Sequence, residues 1–422
     1  MRFTVFLAAA SALAVAAQPA VAQRLGQERP RDAKPQGDDA DTKSTSATTS
    51  TGRKLDISKG AQKAIVELQN AVNANDTASI PAKLAAAQAV AKTADDKYII
   101  AVNQLKAALA AGDLAAIKTG VEALEASGGA DKGDLAKRYA DLGNRYSKAG
   151  QAAAAAAALE KAIAIDPSSP QAMMLLADLR AKAGNSAEAV SLMQRSFAAS
   201  KARGEKVAET NYKFAAGLAH KARSPVALDI TREWLAAYPT TNNWREGLRL
   251  YRDVTGAKGA QLADAMRLAR AAGTVSGRSD YFAYVTALLE SGALTEAKTV
   301  LAEAAASGIN VQDSAFKTLS TKAAAAPTRA AAEAAAKTAL AGGSAAQLIA
   351  AGDALYGLGA YAEAAPLYRA AVAKGDTGLA NLRLGAALAR AGDKAGATAA
   401  LNAVSGPNQA LARLWLLWVA RG

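Results

Sequence analysis

Apolar residues recur along this chain every three or four positions, which is the spacing of side chains that share one face of an α-helix. The pattern is most regular in residues 136–169. Its first apolar face is formed by Tyr139, Leu142 and Tyr146. Gly150 is placed to end that helix, and Pro167 is placed to end a second one, because proline lacks an N–H and clashes with the preceding turn. The pattern predicts two antiparallel helices joined by a short turn.

The same arrangement returns 34 residues later and gives a second helix pair in register with the first. Its apolar and small positions are Met173, Leu176, Ala177, Gly184, Ala189, Met193 and Ser196. Less regular copies follow, with the first-helix residues Tyr281, Tyr284, Leu288, then Leu348, Gly352, Leu355, and then Leu384, Gly385, Leu388. Self-similarity at such a period is typical of arrays in which each unit packs on its neighbours.

The small residues of the pattern complete a known signature. In residues 136–169 an aromatic-x2-Leu-Gly-x2-Tyr first helix is followed by Ala155, Leu159, Ala162 and Pro167. This resembles the tetratricopeptide repeat family. The resemblance implies an all-α fold, a right-handed superhelical solenoid of antiparallel helix pairs with a concave face. It also implies a groove that binds a peptide or helix of a partner protein.

On this basis the chain divides into segments, each with one predicted structure. They are a secretory signal peptide (1–22), a disordered linker (23–56), an N-terminal helical region (57–132), two clear repeats (136–199), divergent helical repeats (205–275), further repeats (278–406) with an alanine-rich joint near 311–343, and a C-terminal capping helix (408–420). The joint is predicted to be compliant because its alanines favour helix but offer few bulky packing residues. Trp415 and Trp418 leave two interpretations of the last helix, a cap over the final repeat or an exposed aromatic docking site.

The N-terminus has the three parts of a secretory signal peptide. Arg2 provides the positive charge, an apolar run follows in residues 5–17, and residues 20–22 (Ala-Val-Ala) form a small-x-small cleavage site before Gln23. The alternative is a membrane anchor, but crossing a bilayer takes about 20 apolar residues and the run is shorter. We therefore expect an exported protein, periplasmic rather than released to the medium, with no transmembrane segment in the mature chain.

Composition argues against most catalytic chemistry. The chain has no cysteine and a single histidine, His220, while more than a quarter of its residues are alanine. Thiolate sites, histidine-based metal sites and Ser–His–Asp triads are therefore disfavoured. The sequence also contains no glycine-rich phosphate-binding motif. We predict a protein that is not an enzyme and that uses no metal or cofactor.

The charge balance raises a second possibility for function. The formal net charge is +13, and about +10 remains once the signal peptide and the linker are set aside. Arg245, Arg249 and Arg252 share one helical face, which could bind an anionic envelope polymer or a lipid headgroup. The alternative for these three residues is a solvated face opposite an apolar stripe. Nucleic acid is not expected as a partner, because aromatics do not interleave with the basic residues.

The resemblance also suggests where a partner protein would bind. In this family, grooves use residues of the first helix of each pair, and the candidates here are Asn144, Ser147, Lys148, Asp178 and Lys182. Some family members hold a C-terminal carboxylate with Lys and Asn on that face, but Ala140 stands where such members have Lys. That activity is therefore not carried over. The favoured function is a non-catalytic scaffold for protein–protein interaction in the cell envelope, and the anionic-polymer module is the alternative.

Overall fold

The structure of the chain is a computed structural model, and it describes residues 53–421. The signal peptide predicted at 1–22 and nearly all of the linker predicted at 23–56 lie outside these residues. All regular structure between residues 53 and 421 is helical, in twenty-one α-helices and one 3₁₀ turn without any strand. None of the described helices is both long enough and apolar enough to cross a membrane.

The helices follow one another with short connections. In the first half they are α1 (Lys59–Asn73), α2 (Ile80–Val90), α3 (Ala94–Ala111), α4 (Leu114–Ser127), α5 (Lys132–Lys148), α6 (Ala152–Ile165), α7 (Pro170–Lys182), α8 (Ser186–Ala202), α9 (Glu209–Lys221) and α10 (Val226–Ala237). In the second half they are α11 (Thr241–Thr255), α12 (Gly259–Ala271), α13 (Gly277–Glu290), α14 (Leu294–Ala306), α15 (Ser314–Ala323), α16 (Arg329–Gly342), α17 (Ala345–Gly357), α18 (Tyr361–Ala373), α19 (Leu379–Ala391), α20 (Lys394–Asn402) and α21 (Gln409–Val419), with the 3₁₀ turn at Gly406–Asn408. The predicted all-α solenoid of helix pairs is confirmed.

The pair α5–α6 shows why the sequence forms these units. Helix α5 ends just before Gly150, whose φ of 73° lies in the left-handed region that a helix-terminating turn requires. Its buried face contains Tyr139, Leu142 and Tyr146. Gly143 lies where the two helices cross, and a Cβ there would be 2.6 Å from Cγ of Leu159. Gly385 lies against Leu401 in the same way. The close crossing therefore depends on the absence of a side chain.

The first eight helices form four pairs that pack in chain order, and α9 packs against the last of them. Each pair packs internally, and α5 also lies beside α7, the first helix of the next pair. The start of α1 is tied to α3 through Asp96, which is fully buried. The Asp96 carboxylate accepts hydrogen bonds from the backbone N–H of Ser58 (2.9 Å), Lys92 (2.9 Å) and Thr93 (3.0 Å) and from the Ser58 hydroxyl (2.7 Å). Burial alone would raise the pKa of Asp96, but these donors lower it to about 2.

Residues 226–421 are packed differently, because their last helices return to their first. Helix α21 packs against α10, and α19 packs against α12. Arg413 reaches Asp229 at 3.4 Å, although the two residues are 184 positions apart. The guanidinium of Arg421 lies 5.4 Å from the ring centroid of Trp244 on α11. We call residues 226–421 the closed part of the chain, because its last helices pack against its first ones.

The alanine-rich segment at 311–343 forms α15 and α16, and its predicted compliance stays a prediction. Helices α14 and α17, which flank it, pack directly on each other. Thr295 donates its hydroxyl to the carbonyl of Ala354 (3.0 Å), and Thr299 donates to the carbonyl of Gly357 (2.8 Å). Helices α14 and α17 approach closely because Gly357 has no side chain and because the two threonines bond to backbone carbonyls of α17. Helices α15 and α16 thus lie in the chain between two helices, α14 and α17, that are in direct contact.

The last helix packs over the end of the array. Trp415 is 1% exposed, and its ring meets that of Trp418 edge-on, with 5.5 Å between centroids. Helix α21 covers α19 and α20 and also reaches α10. The buried ring of Trp415 is therefore used within the fold, as expected of a cap, and is not available as an aromatic docking site.

We expect Gly143→Ala to lower the free energy of unfolding by about 1–3 kcal/mol, because the new methyl overpacks the crossing with Leu159. Urea unfolding followed by circular dichroism measures the change. Gly217→Ala is the matched control, since a Cβ at this position inside α9 would meet no atom within 4 Å. That variant should be up to about 1 kcal/mol more stable, from helix propensity alone. Equal effects of both changes would contradict the close-crossing account.

We expect Asp96→Asn to lower the free energy of unfolding at pH 7 by about 2 kcal/mol. The pKa of Asp96 is lower in the folded chain than the ordinary value near 3.9, so its contribution is complete above pH 4. As the pH falls from about 4 towards 2, the contribution is lost, and the wild type and the variant should become equally stable. Unfolding measured from pH 7 to pH 2 tests this. A difference in stability that persists unchanged at pH 2 would argue against it.

Candidate partner-binding surface

The clear repeats present matching polar stripes on neighbouring helices. On α5 the stripe contains Lys137, Asp141, Asn144 and Lys148, spaced so that all four share one face. On α7 the residues exactly 34 positions later are Gln171, Leu175, Asp178 and Lys182. All eight are exposed or half-buried. Because α5 packs beside α7, the two stripes form one candidate surface, which we call the α5–α7 surface.

The five residues predicted to bind a partner lie on or beside this surface. Asn144 and Ser147 are half-buried and Lys148 is exposed, all on α5. On α7, Asp178 and Lys182 form an ion pair of 2.6 Å. Lys148 forms no ion pair with any residue in the described part of the chain. Its ammonium group is therefore the freer of the two lysine charges for an acidic group on a partner.

Ion pairs on the flanks hold the two helices in place. The guanidinium of Arg180 on α7 bonds Glu160 (2.5 Å) and Glu188 (2.9 Å), which belong to α6 and α8. The Glu125 carboxylate accepts hydrogen bonds from Lys161 (2.7 Å) and from the Tyr139 hydroxyl (2.6 Å). The Lys161 hydrogen bond, followed by that of Tyr139, lowers the pKa of Glu125. These partly exposed pairs are individually weak, but they fix the orientation of α5 and α7.

The basic face predicted on α11 is present, but its charges are largely occupied. Arg245 donates to the carbonyl of Thr274 (3.2 Å) and to the side chain of Asn242. Arg249 pairs with Asp253 at 3.3 Å, and Arg252 lies 3.6 Å from Asp280. Two of the three guanidinium groups thus have a carboxylate partner. An anionic polymer would compete with these partners, so the role assigned to this face stays a prediction.

Two arginines that follow α11 in the sequence, Arg267 and Arg383, are buried and are not surface charges of the same kind. Arg267 is 2% exposed. It donates two hydrogen bonds to Glu296 (2.8 and 2.7 Å) and one to Asp264 (2.7 Å). Arg383 donates to Asp264 (3.1 Å) and to Asp353 (2.6 Å). We call these five buried residues the charge cluster.

The charge cluster joins four helices, α12, α14, α17 and α19. Two tyrosines complete it, since Tyr284 donates to Glu296 (2.6 Å) and Tyr368 donates to Asp353 (2.7 Å). Burial alone would lower the pKa of Arg267, but the nearby carboxylates raise it well above its usual value. Burial and the neighbouring carboxylates also raise the pKa of both tyrosines. Both guanidinium groups therefore stay charged, and the hydroxyls stay protonated, over the physiological range.

The charge cluster was not found from the sequence. Asp264 and Arg267 are three positions apart on a helix that otherwise reads as apolar, which was the only local signal. The other three members, Glu296, Asp353 and Arg383, occupy different positions within their repeats. The repeat period therefore does not predict that they lie close together. No group of acidic or histidine side chains in residues 53–421 is arranged to hold a metal ion. The arrangement of buried, mutually bonded groups points to a structural role.

Removing one member should destabilise the closed part of the chain. We expect Arg383→Met to cost about 3–5 kcal/mol, because Asp264 and Asp353 would stay buried with fewer partners. Arg249→Met is the matched control, since the Arg249 side chain is 59% exposed and pairs with an exposed aspartate. Loss of that pair should cost less than about 1 kcal/mol. Urea unfolding measures both. A small effect of the Arg383 change would mean that water or movement compensates the aspartates.

Comparison with known proteins agrees with the helix-pair geometry. Residues 146–203 match the sequence profile described as tetratricopeptide repeat, and this stretch runs from the end of α5 through α8. None of the curated proteins compared with the chain matches it.

Several solved structures are similar to this chain. One is a tetratricopeptide repeat protein from Parabacteroides merdae, with 11% identity, 69% of this chain and 99% of that chain covered, and a TM-score of 0.30. Another is the pentatricopeptide repeat protein PPR10 from maize, with 15% identity, coverage of 84% and 57%, and a TM-score of 0.24. A third is a chain of Naa15/Naa10 bound to HypK-THB, with 13% identity, coverage of 84% and 57%, and a TM-score of 0.27. At these values the likenesses carry no information about partners or activity.

The family assignment rests on the profile match at 146–203 together with the signature residues described above. Gly143, Leu159 and Gly150 have the roles in the structure that their positions in the repeat predicted. Residues 146–203 of this chain therefore form tetratricopeptide repeats within a longer array of helix pairs.

Proposed function

We propose that this protein is a non-catalytic, exported scaffold that binds a peptide or helix of a partner protein in the cell envelope. The observation that carries the proposal is the α5–α7 surface, where aligned stripes of exposed or half-buried side chains, all polar except Leu175, lie within and beside the segment that matches the family profile. Repeats of this kind suit protein–protein interaction because stacked helix pairs present an extended surface. Neither a metal nor a cofactor is needed for such binding.

The two parts of the described chain support this choice of surface. In residues 226–421 the buried arginines already have carboxylate partners within the chain. The α5–α7 surface, in contrast, keeps Lys148 and Asn144 accessible at the end of an α-helix whose other face is fully packed. A partner with an acidic or amide-containing segment fits these groups.

The proposed surface is tested by a charge reversal at Lys148. We expect Lys148→Glu to weaken capture of the native partner at least tenfold, because a carboxylate partner would be repelled. A photo-cross-linking amino acid at Asn144 of the full chain, expressed in its own host, identifies the partner by mass spectrometry. Lys394→Glu is the matched control, as Lys394 is exposed and lies at the start of α20. Partner capture that is equal in both variants would exclude the α5–α7 surface.

The alternative, binding of an anionic envelope polymer or lipid headgroup, is tested by salt. Such binding would fall steeply with ionic strength and would be lost when Arg245, Arg249 and Arg252 are reversed together. Partner capture that survives high salt would favour the protein-binding scaffold.

The exported location is part of the proposal and rests on the N-terminal pattern. We expect the protein recovered from cells to begin at Gln23 and to fractionate with the periplasm. N-terminal sequencing of the purified protein measures this. A chain that keeps Met1 and stays in the cytoplasm would contradict export, while the binding surface would be unaffected.

A further inference from the structure

One exposed aromatic residue lies on the first helix of the pair that follows the α5–α7 surface in the chain. Among the described residues, three large apolar side chains are exposed, Val66 at 45%, Phe214 at 46% and Leu340 at 50%. Phe214 is the aromatic member, and it lies on α9, the first helix of the pair that follows α7–α8. Helix α8 packs against both α7 and α9. An exposed phenylalanine here loses the free energy of burial unless something covers it.

The stripe on α9 has the same spacing as the stripes of the α5–α7 surface. Thr210, Phe214, Gly217 and Lys221 share one face and are all exposed. The opposite face is buried, and Tyr212 there meets the ring of Phe197 on α8 with 4.8 Å between centroids. Each of the three stripes ends in a lysine in the last turn of its helix, namely Lys148, Lys182 and Lys221.

The space beside Phe214 is open. A Cβ built on Gly217 would meet no atom within 4 Å. One turn of helix therefore offers an exposed ring next to bare backbone, so that a side chain of a partner could lie flat against both. Lys221 lies about 10 Å from Phe214 along the helix axis, at a rise of 1.5 Å per residue. It forms no ion pair with a residue in the described range, so its charge is available.

We propose that Phe214, Gly217 and Lys221 form an anchoring site for one kind of partner segment. The segment carries a large apolar side chain, which packs on Phe214 and Gly217, and a carboxylate about 10 Å away, which pairs with Lys221. Charge complementarity selects the acidic group, because Lys148 and Lys221 form no ion pair with any described residue, whereas Lys182 already pairs with Asp178. The inference rests on the proposed function and names the chemistry of its partner.

The test uses the full chain and peptides of known sequence. A library of random 12-residue peptides displayed on phage is selected on the immobilised chain, and the enriched peptides are synthesised with a fluorescent label. Their affinities for the wild type, Phe214→Asp, Lys221→Glu, Lys148→Glu and Leu340→Asp are measured by fluorescence anisotropy. Leu340→Asp is the matched control, since Leu340 is as exposed as Phe214. Circular dichroism checks that each variant is folded, and Phe214→Ala replaces Phe214→Asp if the latter is not.

The expected peptides combine a large apolar residue with Asp or Glu. Phe214→Asp should weaken their binding at least tenfold, and Lys221→Glu should weaken it three- to tenfold. Replacing the acidic residue of the peptide by Lys should restore binding to Lys221→Glu, and Leu340→Asp should change nothing. Enriched peptides without an acidic residue, or equal losses in the Leu340 control, would overturn the proposal. If Lys148→Glu weakens binding while Phe214→Asp and Lys221→Glu do not, the α5–α7 surface is supported and the site on α9 is excluded. If none of these three variants weakens binding, both proposals fail.

Discussion

Two buried guanidinium groups set the packing of the second half of this protein. A charge in the interior is costly unless it is paired and hydrogen-bonded, so Arg267 and Arg383 require carboxylates from three helices, α12, α14 and α17, at defined positions. This matters because the interfaces are rich in alanine, whose small side chains give little shape to distinguish one helix register from the next. Hydrophobic burial brings these helices together, while the charge cluster selects the arrangement in which every charge has a partner.

The two parts of the chain therefore use the same repeat for different purposes. In residues 226–421 helices meet partners far along the chain, and their charged side chains are used inside the fold. Helices α5, α7 and α9 pack with their neighbours, and each leaves one stripe of side chains exposed or half-buried. A scaffold needs both properties, because a bound segment gains most from a surface that is already ordered before it arrives. The ion pairs of Arg180 and Glu125 provide that order on either side of α5 and α7.

The sequence predicted what depends on local spacing. The helix pair at 136–169, its end at Gly150 and the close crossing at Gly143 all follow from residues within one repeat. The return of α21 to α10 and the packing of α14 on α17 did not follow, because they join residues between about 60 and 180 positions apart with no shared pattern. For the same reason the burial of Arg267 could not be predicted from its neighbours in the sequence. At the candidate surface, the stripes of α5 and α7 could be predicted, whereas the exposure of Phe214 could not.

The contact between α10 and α21 also constrains the order of folding. Most repeat arrays can add one unit at a time, because each unit is complete once its neighbour has formed. Here α10 and α12 lack part of their packing until residues 383–421 are available. During synthesis from the N-terminus, the early repeats can fold while the later ones wait for the last helix. Contacts between such distant residues slow folding because the intervening chain must first be ordered. Helices α21 and α19 therefore complete the packing of α10 and α12, and a chain that lacks them would leave these faces uncovered.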